Sequence, residues 1–214
     1  MTPPTQTESP FVPLRHGGWA TRRTPWWAFA VLVVVIIGVV VVSLTQKPSQ
    51  SQRASDLEGY FGDVSTGVGS CAAGLQGSES AYDQVLGGDT AQTKTALAIF
   101  TYGGSNCTVE SNEAFANFAN YQVAESLASL NLDAADNDVI TWAFDSVAVQ
   151  TDMTAVVKAT PGAARASAQA TLKTAIGTLD AERSTIDAIW TAAKKSTNSG
   201  AAFTKLPTWT PPSS

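Results

Sequence analysis

Residues 26–44 read WWAFAVLVVVIIGVVVVSL, nineteen positions without a charge. As a helix rising about 1.5 Å per residue, this run reaches about 28 Å, close to the thickness of a bilayer's hydrocarbon core. Arg22 and Arg23 bound it on one side, Trp26 and Trp27 stand where interfacial aromatics belong, and Lys47-Pro48 closes the other end. The run predicts a single transmembrane helix over 26–44, so the chain beyond it folds on one side of a membrane. Arg15, Arg22 and Arg23 precede the span, while Lys47 and Arg53 follow it. That bias puts residues 1–25 in the cytoplasm and residues 45–214 outside.

A cleaved signal peptide is the competing reading. Its apolar stretch should be about 7–15 residues long and end in a small-x-small site. The junction VVSLTQKPSQSQRAS offers only Ser43 and Ala54 as poor cleavage positions. Arg22-Arg23 has the paired arginines of a twin-arginine signal, but Pro25 stands where such signals carry an aliphatic or aromatic residue. A lipoprotein anchor needs a cysteine at the end of the run, and none is there. A retained anchor is therefore expected.

Beyond residue 45 the chain holds ten Lys and Arg against seventeen Asp and Glu, a net charge of −7. An acidic surface repels nucleic acid and anionic polymers, which excludes both as natural partners. Cys71 and Cys107 both follow the span, and an isolated pair in an oxidising compartment reads first as a disulfide. Geometry agrees: a helix climbing from Cys71 to Leu86, followed by one returning from Thr90 to Tyr102, brings Cys107 back to the level of Cys71.

Residues 1–25, rich in Pro, Gly and Thr, read as a disordered tail, and 45–53 as a polar linker. Residues 54–206 read as an all-α antiparallel bundle of four or five helices, with 207–214 as a flexible tail; Phe203, Leu206 and Trp209 are the residues that could fold back on the bundle. The first helix carries Leu57, Phe61, Val64, Val68, Cys71, Leu75, Ser78, Tyr82 and Val85, spaced alternately by four and three on one stripe. Six glycines fall off the stripe, so this helix depends on its neighbours, and Gly87-Gly88 ends it. Asp89, with Gln92, is expected to cap a second helix that Gly103-Gly104 stop. A third helix is expected over 111–130. The cluster Asp133, Asp136, Asn137 and Asp138 then caps a fourth helix reaching Ala159. Thr160-Pro161 starts a fifth, which runs to Lys195 with Leu172, Ile176, Leu179, Ile186, Ile189 and Trp190 inward. Alternation of Ile140, Trp142 and Phe144 also fits a strand, but no partner strand is in sight.

Chemistry-bearing patterns are few. The single histidine, His16, lies in the tail, so histidine-dependent triads are excluded beyond the span. The acid cluster lacks the alternating pattern of a calcium loop and is better used in capping. No metal, cofactor or catalytic residue is expected. Asn106-Cys107-Thr108 matches a glycosylation sequon, which is frequent by chance. The fourth helix is apolar on two sides. Ile140, Phe144, Val147, Thr151 and Thr154 share one face, and Trp142, Val149, Met153 and Val156 share the other. A central position explains both, while the second stripe is the candidate surface for a partner or ligand. The 54–87 stripe could also pair two copies as a homodimer. The function expected first is a non-enzymatic, membrane-tethered interaction or scaffold module with a protein partner. The alternative is a small-molecule-sensing ectodomain acting with a partner subunit. A polar pocket favours the second; a filled core with an exposed apolar patch favours the first.

Overall fold

The computed structural model describes residues 47–203 and 205–210, together with Val31, Val33, Val34 and Ile36. The chain divides into two units, residues 1–46 and 47–214, and all that follows concerns the second. No helix among the described residues is long and apolar enough to cross a membrane. The expected span over 26–44 lies outside the described residues apart from those four valine and isoleucine positions, and so do Arg22, Arg23, Trp26 and Trp27.

Every regular element described is helical. Helix α1 spans Gln50–Leu86, a rod of about 55 Å at the standard rise. It begins inside the segment expected to be a linker, because the Ser49 hydroxyl accepts from the Gln52 N–H at 3.1 Å and caps the first turn there. It ends where Gly88 takes a φ of 104°. Eight members of the stripe, from Leu57 to Tyr82, are buried as the four-three spacing requires.

The second arm departs from expectation. A 3-10 turn over Thr90–Gln92 leads into α2, Thr93–Ser105. Asp89 contributes its backbone carbonyl, which accepts from the Gln92 N–H, instead of a side-chain cap. Gly103 and Gly104 do not stop the helix; they are buried in its last turn, where α1 crosses. The helix expected over 111–130 is broken into α3, Glu113–Ala119, and a 3-10 helix, Glu125–Leu130. Asn120 causes the break: its amide donates to the Ala116 carbonyl at 2.8 Å and closes the helix. The freed chain then lets Tyr121 pack on Tyr60, with ring centroids 6.0 Å apart.

These pieces form one composite arm that descends the whole length of α1. Tyr82 meets Phe100, Gly74 meets Gly103, Cys71 is bonded to Cys107, and the Ser70 hydroxyl accepts from the Asn112 amide. Further down, Gly67 meets Phe118, Asp56 accepts from Ser126, and the Arg53 guanidinium donates to Ser129. Numbers fall along α1 as they rise along the arm, so the two are antiparallel.

Helix α4 spans Leu132–Lys158 and α5 spans Ala163–Thr197. Asn131 enters α4 with a left-handed φ of 57°, so the acid cluster lies inside the helix and is not its cap. The strand alternative at Ile140–Phe144 fails, since the helix is continuous there. Thr160-Pro161 occupies the turn, and Gly162, with a φ of 102°, delivers the chain to α5 two residues later than expected. The result is an up-down-up-down bundle of α1, the composite arm, α4 and α5. The C-terminal segment runs along the side of the bundle, from the level of Phe61 to that of Tyr82. Phe203 lies 5.2 Å from Trp190 and 5.4 Å from Phe61 between ring centroids, and Trp209 meets Tyr82 edge-on at 5.3 Å. Phe203, Leu206 and Trp209 thus fold back on the bundle, and Pro207, in the segment expected to be a flexible tail, is buried while Thr208 and Thr210 are exposed.

Candidate functional site

Cys71 and Cys107 form the expected disulfide, with Cα atoms 4.6 Å apart. That is closer than the usual 5.5–6 Å. The cause lies one turn away, where Gly74 and Gly103 face each other without side chains. A Cβ built on Gly74 would lie 2.9 Å from both the Cα and the carbonyl oxygen of Gly103. Two of the six glycines of α1, Gly67 and Gly74, are therefore contact points and not merely gaps in the stripe.

The two faces of α4 differ: the Trp142 stripe is buried, as a central helix requires, and the Phe144 face is only partly covered. Trp142, Val149, Met153 and Val156 are at most 1% exposed and fill the core, so this stripe offers no partner or ligand surface. The opposite face is the open one. Phe144 is half exposed, while Val147, Thr151 and Thr154 line a groove of about 450 Å³ between α4 and the end of α2. Phe100, Thr101, Gly104 and Ser105 form its other wall, and Thr108 and Ser111 close one end. The volume is that of a small-molecule site.

Gln150 lies at the floor. It is 2% exposed, and neither Nε2 nor Oε1 has a hydrogen-bond partner. Among the described residues it is the one side chain whose donor and acceptor are both buried and both unsatisfied. Leaving such a group unmade costs about 1–3 kcal/mol. Gly104 roofs the amide: a Cβ there would sit 3.0 Å from Oε1. Four of the lining hydroxyls have their protons engaged on their own helices. Thr101 donates to Leu97, Ser105 to Tyr102, Thr151 to Val147 and Thr154 to Gln150, all to backbone carbonyls. With their protons so engaged, these four hydroxyls are left as acceptors. No charged side chain lines the groove.

Sequence reasoning missed Gln150, although a signal was present. Trp142, Ser146, Val149, Gln150 and Met153 share one helical stripe, and a glutamine on an apolar stripe invites the question of its partner. Gly104 carried no such signal, because its role depends on which helix lies across from it.

Two other concavities are less suited to a ligand. One lies over Gly67 between Asp63 and Glu113, with Phe118 and Tyr121 as its apolar part. The other lies under the C-terminal segment beside Arg183, Asp187 and Lys205. The remaining buried polar groups are internal. The Tyr60 hydroxyl donates to Asp136 at 2.7 Å and accepts from the Trp190 indole at 3.1 Å. Burial pushes the Asp136 carboxyl up to about 6, against the lowering effect of the Tyr60 bond. Burial, with Asp83 and Asp180 adding repulsion, raises Glu79 to about 8. Glu182 is raised by burial and by Asp145 across the α4–α5 interface. None of these carboxyls borders the groove. Comparison with protein-family models, with curated proteins and with solved structures finds no match for this chain.

Proposed function

We propose that this chain is a membrane-tethered binding module whose α2–α4 groove takes a small, uncharged polar molecule. One observation carries the reading: the unsatisfied amide of Gln150 at the floor of a groove free of charges. A buried amide without partners is a cost in the empty protein that a ligand can remove. The interaction-module reading has less support, since the Trp142 stripe is consumed by the core. The large apolar side chains left exposed in the bundle are the scattered Tyr102, Val109 and Phe144. Tethering and an extracytoplasmic bundle are supported by the 26–44 run and its arginine bias. The disulfide supports a non-reducing compartment. The function is binding without catalysis.

The test uses the full chain in lipid nanodiscs, titrated with a library of small neutral and charged solutes under thermal denaturation. Neutral polar compounds should raise the melting temperature saturably, and a bulky side chain placed by Thr151→Trp should abolish the effect. A library without a saturating neutral compound, or hits indifferent to Thr151→Trp, would sink the proposal. Topology is tested separately by an alkaline phosphatase fusion at Ser214, which should be active.

A further inference from the structure

We infer that the group read by Gln150 is a primary carboxamide or a lactam, so that the ligand is a neutral amide carried on a small apolar ring or chain. This rests on the ligand-binding reading of the α2–α4 groove and narrows it to one chemical class. The terminal amide of glutamine presents Nε2–H and Oε1 side by side, one donating and one accepting. A ligand that satisfies both at once must show an acceptor beside a donor in the same plane. Primary carboxamides and lactams do so. A carboxylate shows acceptors alone and would set an oxygen against Oε1, with no cation in the groove to balance it. An ammonium shows donors alone and leaves Nε2 unmade. A plain alcohol can meet one end at a time.

The surroundings favour the same class. The hydroxyls of Thr101, Ser105, Thr151 and Thr154 are committed as donors to backbone carbonyls, so they offer acceptors to the ligand. The second N–H of a primary carboxamide has a place to go. Phe100 and Val147 give the groove an apolar flank against which a ring or alkyl chain can lie. Gly104 completes the arrangement. It lines the groove and stands over Oε1, and any side chain there would crowd the acceptor end of the amide. Both amide atoms are sealed from solvent in the empty protein, so the ligand meets them when the Gln150 side chain turns past Gly104 into the groove.

The experiment takes the full chain in nanodiscs, labelled with ¹⁵N-glutamine and ¹⁵N-glycine. The Gln150 side-chain resonances are identified by their loss in Gln150→Leu. Three probes are added separately: nicotinamide, 2-piperidinone and the amide-free neutral alcohol cyclohexanol, with nicotinate as the charged analogue of the first. Nicotinamide and 2-piperidinone should move the Gln150 side-chain N–H₂ signals downfield together with the Gly104 signal, while nicotinate and cyclohexanol leave the side-chain signals in place. Gln150→Leu should weaken nicotinamide binding by about tenfold or more with a melting temperature at or above that of the parent. That combination separates lost recognition from lost folding. Should Gln150→Leu fail to fold, Gly104→Ala serves in its place, and the same weakening is expected. If cyclohexanol moves Gly104 as strongly as the amides do and Gln150 stays silent, the amide assignment is overturned while the groove remains a binding site. If no probe moves Gly104 or Gln150, the assignment and the binding role of the groove fall together.

Discussion

Gly74 and Gly59 lie on the same helix and respond to the same mutation in opposite ways. Gly74→Ala drives a methyl group into the backbone of Gly103 and should destabilise the fold by about 1–3 kcal/mol. Gly59→Ala meets nothing within 4 Å and should stabilise by up to about 1 kcal/mol through helix propensity alone. Urea denaturation of the pair reads the sign directly; equal effects would show that α1 and α2 do not touch at Gly74. Tyr60→Phe makes a second residue-scale test. It strands the Asp136 carboxyl and the Trp190 indole, and should cost about 1–3 kcal/mol. The periodic stripe made the burial of Tyr82 and Cys71 legible in sequence. It could not reveal that Gly74 is a contact or that Asp136 turns inward, because both depend on the residue opposite. A one-dimensional pattern carries a residue's own face and not its neighbour's.

At the scale of elements, the helices were legible wherever one apolar stripe ran uninterrupted, as in α1 and α5. Legibility failed at the composite arm. Phe115, Phe118, Ala119, Val123, Leu127 and Leu130 keep helical spacing across 111–130, yet Asn120 closes the helix between them. Local capping overrode periodicity there. The disulfide closes a loop over a sequence separation of 36, worth about 4 kcal/mol on the chain-entropy estimate. Cys71→Ala with Cys107→Ala should lower the denaturation free energy by an amount of that order and leave the helical circular-dichroism signal in place at low temperature. The C-terminal segment is a second clasp. Truncation after Ser199 uncovers Phe61, Tyr82 and Trp190, and a drop in melting temperature of several degrees is expected, with the Trp190 fluorescence shifted to the red.

For the whole molecule, the buried carboxyls set the response to pH. Glu79, pushed up to about 8, holds a proton in the folded state that the unfolded chain releases near 4.5. Between those values the folded state binds more protons, so raising the pH favours unfolding, by at most about 1.4 kcal/mol per pH unit. Asp136 and Glu182 act in the same sense. The melting temperature should therefore fall from pH 5 to pH 8, and Glu79→Gln should flatten the fall; an unchanged slope in the variant would relocate the effect to other acids. The geometry of the two ties on α1 reaches further. Asp136 fastens α4 to α1 at Tyr60, and the disulfide fastens the end of α2 to α1 at Cys71, eleven residues or about 16 Å higher. α1 is thus the common spine from which both walls of the α2–α4 groove are hung, one by a hydrogen bond and one by a covalent bond. Loss of the disulfide removes the covalent tie of the α2 wall alone, leaving the Gly74–Gly103 and Tyr82–Phe100 contacts to hold it and the Tyr60–Asp136 tie of α4 untouched.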